Sequence, residues 1–160
     1  MSHPSLGRPP LDLTAGSPTG AHRIRAAIAP LAARALESAV DRDPTLKTRL
    51  DEVALRERLR DAELLADRVA LSVAAGSPDP AKEYADWTAP VYRRKRVPLD
   101  DLINLCEGLR QALPSVVDGT ALADAEAAID AAILQYRWHR RLAGDARKRN
   151  AFLQFIYKGA

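Results

Sequence analysis

Residues able to do chemistry are few in this chain, and none is grouped as a reaction would require. The histidines are His3, His22 and His139, and none has a partner at His-x-x-x-His or Glu-x-x-His spacing. Cys106 is the only cysteine, which excludes an internal disulfide and a cysteine-based metal cluster. Its place on the apolar side of a helical repeat suits an inert, buried thiol. The acid pairs Asp51-Glu52 and Asp100-Asp101 coincide with expected helix starts, where the macrodipole favours them without acid-base work. The eight glycines are scattered and form neither a Gly-x-x-x-x-Gly-Lys nor a Gly-x-Gly-x-x-Gly phosphate loop. The expectation is a non-enzymatic protein with no catalytic residue, no metal and no cofactor.

Binding chemistry is better represented. Tyr136-Arg137-Trp138-His139-Arg140-Arg141 is followed by Arg147-Lys148-Arg149, and Asp145 is the only acid from residue 131 to 160. Arginines interleaved with aromatic rings suit an anionic partner, with phosphates to pair and bases to stack. The same run also fits a solvated basic face or a helix packed on a protein partner. A second basic cluster, Arg93-Arg94-Lys95-Arg96, stands where a helix should end, and macrodipole electrostatics accounts for it there. Tyr84, Trp87 and Tyr92 could line a small-molecule pocket, although aromatics at helical spacing more often fill a core.

These residues must be carried by helices. Ile24, Ile28, Leu31, Ala35, Leu36 and Val40 recur every three to four residues, with Pro30 expected to bend the helix. Asp43-Pro44-Thr45 ends it. Leu46 to Ala75 then reads as one long helix or two nearly collinear ones. Gly76-Ser77-Pro78-Asp79-Pro80 is a break, with Asp79 expected as N-cap and Pro80 at the first helical position. The next helix carries Tyr84, Trp87 and Val91, with Pro90 predicting a kink or an early end. Another runs from Leu99 to Leu113, and Thr120 opens a terminal helix to about Tyr157. Leu122, Ala125, Ile129, Ile133 and Tyr136 form its expected packing side, and Phe152, Phe155 and Ile156 its last apolar stripe.

The fold class expected is therefore all-α: a bundle of four to six helices over residues 19–160, with a long C-terminal helix. Residues 1–18, with Pro4, Pro9, Pro10 and Pro18, are expected to form a disordered tail. A chain of 160 residues suits one domain, and a net charge of +3 is modest, so the placement of charge matters more than its total. No apolar stretch is long enough for a membrane span, and Met1 is not followed by a secretory leader, so a cytoplasmic location is expected.

One segment has a familiar look. Arg94-Lys95-Arg96-Val97-Pro98-Leu99-Asp100-Asp101-Leu102-Ile103-Asn104-Leu105-Cys106-Glu107-Gly108 resembles a stretch of the helical N-terminal sensory domains of RsbR-like and PucR-like bacterial regulators. Arg96 stands where that pattern commonly has glycine before Val-Pro-Leu. The resemblance implies a regulatory input domain that senses a signal or assembles with copies of itself, and it carries over no catalytic residue. Together with the residue patterns it makes a regulatory, self-associating interaction domain the leading expectation. A binder of nucleic acid or another anionic partner through Arg137, Trp138, His139, Arg140, Arg141, Arg147, Lys148 and Arg149 is the second.

Overall fold

A computed structural model describes the backbone of residues 9–157 and the side chains of residues 9–142. Among the described residues seven α-helices follow one another: α1 Pro18–Ala26, α2 Ile28–Arg42, α3 Leu46–Arg49, α4 Glu52–Ala75, α5 Asp79–Arg94, α6 Leu99–Ala112 and α7 Gly119–Tyr157. A single 3-10 turn, Leu113–Ser115, follows α6, and the described residues include no strand. The count exceeds the expected four to six because the first expected helix is divided, and because the Leu46–Ala75 run takes the two-helix form of its expected alternatives.

The first division lies at Ala27, with φ −112°. Pro30 has no amide hydrogen, and its ring would collide with the carbonyl four residues earlier, at Ala26. The chain therefore breaks where a bend was expected, and Pro30 sits in the first turn of α2. The second lies at Leu50, which is extended at φ −109° and ψ 131°. The Asp51 carboxylate accepts the Ala54 amide at 2.8 Å and starts α4 afresh, so Leu46–Arg49 is left as one turn.

α4 ends on Gly76 in the left-handed region, with the Ser77 amide donating to the Ser72 carbonyl. Its last carbonyls are also capped from the other end of the chain. The Gly16 amide donates to Ala74 at 2.9 Å and the Ser17 amide to Val73 at 2.8 Å. A Cβ at Gly16 would lie 2.2 Å from the Val73 oxygen, so the approach requires glycine. The segment expected as a tail through residue 18 is thus fastened at Gly16 and Ser17, and residues 1–8 lie outside the described residues. Ser17 also caps α1, accepting the Gly20 amide.

α5 starts one residue earlier than expected, with Pro78 at the cap and Asp79 and Pro80 in the first turn. Serine hydroxyls do the capping in place of Asp79: Ser77 accepts the Asp79 amide and Ser72 the Ala81 amide. The helix also runs on through Pro90 to Arg94. The one carbonyl this deprives of a helical donor belongs to Asp86, an exposed residue, so no early end follows.

Arg96 closes α5 at φ 58°, the only non-glycine residue with positive φ among those described. The Val97 amide donates to Tyr92 and the Arg96 amide to Arg93, the paired bonds of a Schellman ending. A side chain in this conformation costs roughly 1 kcal/mol that glycine does not. Arg96→Gly is therefore expected to stabilise the protein by about 0.5–1 kcal/mol, read as a higher urea midpoint at unchanged slope. A lower midpoint would refute the left-handed assignment.

Small residues set the spacing of the bundle. α2 buries Leu31, Ala32, Ala35 and Ala39 between α6 and α4, and the backbones of α2 and α6 meet where Gly108 lies over Ala35. α7 buries Ala125, Ile129, Ala132, Tyr136 and His139, at alternating spacings of four and three. Leu122 of the expected packing side is half-buried, and Ile133 is buried. α4 touches α1, α2, α5, α6 and α7, and the buried apolar residues from Ala21 to Tyr136 form one core.

Candidate interaction surface

The register that sends Tyr136 and His139 inward sends a different line outward. Leu134, Trp138 and Leu142 follow one another at i, i+4 and i+8, and they are 61%, 49% and 42% exposed. Arg137, Arg140 and Arg141 are exposed on the neighbouring side. Trp138 meets His139 edge to face, with ring centroids 4.9 Å apart. α7 has 39 residues, about 58 Å at the usual rise. Arg147, Lys148 and Arg149 fall on its continuation toward Tyr157, and their side chains lie outside the described residues.

His139 belongs to the packing rather than to the exposed basic run in which the sequence placed it. It is 8% exposed, and its Nε2 lies 2.8 Å from Asp86 Oδ1 on α5. Gln135 Nε2 donates to the same oxygen at 2.7 Å. The two bonds, His139's first and Gln135's second, hold the Asp86 carboxyl below the usual carboxylate range. Arg140 is likewise engaged, paired with Asp100 in the first turn of α6. Arg137 and Arg141 have no hydrogen-bond or ion-pair partner among the described residues.

The three aromatics considered as a pocket are not brought together. Trp87 is 72% exposed, while Tyr92 is buried and Tyr84 half-buried against α4. Tyr92 donates to Asp61 Oδ1 at 2.8 Å, and the Arg58 guanidinium lies 5.7 Å from the Tyr92 ring centre. Arg58 Nη1 stands 2.9 Å from Asp61 Oδ2, and Arg68 covers the Tyr84 ring at 5.7 Å. Burial pushes the Asp61 carboxyl up, against the opposing pull of Tyr92 and Arg58, and it pushes both tyrosine hydroxyls up. The result is a ladder of arginine, tyrosine and aspartate rungs fastening α4 to α5.

Arg58, Asp61 and Arg68 were not singled out from the sequence. A signal was present for the first: Arg58 is four residues before Ala62 and seven before Leu65, in line with the apolar face.

Other candidate chemistry stays apart. Cys106 is fully buried, and burial pushes its thiol up to about 12, which leaves it protonated. Arg34, Glu37, Ser38, Asp41, Arg42 and Gln111 line an open hollow of about 370 Å³ between α2 and α6. No apolar side chain lines it, whereas ligand pockets are mostly apolar. Among the described residues no three His, Cys, Asp or Glu side chains are grouped to hold a metal, and no helix is long and apolar enough to cross a membrane. No family model matches the chain, and no curated protein is significantly similar to it.

Proposed function

We propose that this chain is a non-enzymatic regulatory domain that works by association with another copy of itself, through the outward face of α7. One observation carries the reading. Leu134, Trp138 and Leu142 form an apolar line along a helix whose opposite side is fully used by the core. Three large side chains left half in water on one line mark an interaction site, because burying the exposed part of each would gain roughly 1 kcal/mol. A line of this spacing is self-complementary: two antiparallel copies of α7 would interleave it across a two-fold axis. The likeness of residues 94–108 to sensory input modules supports the same assignment.

Sedimentation velocity across a wide concentration range tests it. A monomer–dimer equilibrium is expected, and Leu134→Asp with Leu142→Asp should abolish it while the melting temperature holds, since neither residue is in the core. A wild-type chain that stays monomeric throughout overturns the reading.

A further inference from the structure

The sequence holds two basic clusters far apart, and the fold brings them to one end of the bundle. Arg140 on α7 is ion-paired with Asp100 at the start of α6, across a separation of 40 residues. Arg96 precedes Asp100 by four residues, so it lies at most about 14 Å away along the chain. Arg93, Arg94, Lys95 and Arg96 on the α5–α6 corner therefore adjoin the helix start that Arg140 reaches, Arg137 and Arg141 lie within one turn of Arg140 on α7, and all seven are exposed. Arg137 and Arg141 are at i and i+4, facing together.

The acids of this end are already engaged. Asp100 holds Arg140, Asp101 and Asp43 share Arg49, and Asp61, whose field reaches Lys95, shares Arg58 with Glu57. Arg93, Arg94, Arg96, Arg137 and Arg141 have no hydrogen-bond or ion-pair partner among the described residues. A chain of modest net charge thus concentrates unpaired arginine at one place.

We infer that Arg93, Arg94, Arg96, Arg137 and Arg141 form one composite surface that binds the phosphate backbone of single-stranded nucleic acid. Two properties favour phosphodiester over an acidic protein. The surface is charged throughout, whereas the core of a protein interface is apolar and poor in charge. Its exposed arginines span two elements, which suits a partner with regularly repeated charges whose binding is driven by counterion release. Trp138, next to Arg137 in the chain and half-exposed, offers a stacking face at the border of the surface.

The test uses the full chain and a fluorescein-labelled oligothymidylate of about 20 nucleotides, followed by anisotropy from about 50 to 200 mM salt. Binding is expected to weaken with salt at a log–log slope of about −3.5, for about five phosphates contacted. Arg93→Ala with Arg94→Ala, and separately Arg137→Ala with Arg141→Ala, should each weaken binding roughly tenfold and reduce that slope by about 1.4. Unchanged melting temperatures would exclude unfolding as the cause. No binding at the lowest salt overturns the inference, as does an effect confined to one pair, or equal competition by polyglutamate of matched charge. A strictly monomeric chain that still binds in this way would remove the self-association reading and leave this one intact.

Discussion

Gly108→Ala is expected to destabilise the protein by about 2–3 kcal/mol, although alanine is the better helix former by roughly 1 kcal/mol. The added Cβ would lie 2.4 Å from the Ala35 oxygen, 2.9 Å from its Cα and 3.0 Å from its carbonyl carbon. All three are backbone atoms of α2, so no flexible side chain can swing aside. α2 must instead withdraw, which loosens the buried packing of Leu31, Ala32 and Ala39 on the same helix. Urea denaturation would show the midpoint falling at nearly constant slope. A rise in midpoint would mean that propensity outweighs contact and that the helices do not meet this closely. Gly16 faces an equally short clash with backbone, but there the N-terminal segment can detach, which limits the loss.

Arg58→Ala is the second large effect, at about 3 kcal/mol. Arg58 is 4% exposed, and its guanidinium both faces Asp61 and covers the Tyr92 ring. Removing one partner of a buried pair typically costs 3–5 kcal/mol, because the other is left charged without compensation. Here the low end applies, since the Asp61 carboxyl is already pushed up and can take a proton instead. The sign follows from that. Without Arg58 the folded carboxyl rises further above its unfolded value, so its contribution is retained in acid and lost as pH increases. The deficit of the variant relative to wild type should therefore be larger at neutral than at acidic pH. Arg58→Met combined with Asp61→Asn should recover most of the loss. A deficit independent of pH would place the cost in lost packing rather than in the uncompensated carboxylate.

Much of this architecture is written in the spacing of apolar residues. Ile24 to Val40, Leu102 to Leu113 and Ala125 to Tyr136 become helices facing the core as their periodicity predicts, because a stripe at 3.6 residues per turn has no other way to be buried. What is not legible is how local signals compete. Asp51 both opens a helix and, by doing so, ends the turn before it, and Pro30 breaks where it was expected to bend. The basic run at Tyr136–Arg141 shows the same limit. Its residue types are visible in the sequence, but only the register of α7 decides that His139 turns inward to Asp86 while Trp138 turns out. The approach of that run to the start of α6 is marked by the Arg140–Asp100 contact, which no linear pattern contains.

The inward side of α7 has one further consequence. Ala125, Ile129, Ala132, Tyr136 and His139 lock the helix against rotation about its own axis, since turning it would withdraw five buried side chains at once. The compass bearing of Leu134, Trp138 and Leu142 is therefore set by residues on the other side of the same rod. Anything docked along that line meets it at one fixed angle to the bundle, and a shift in the core would be read outside as a change of heading.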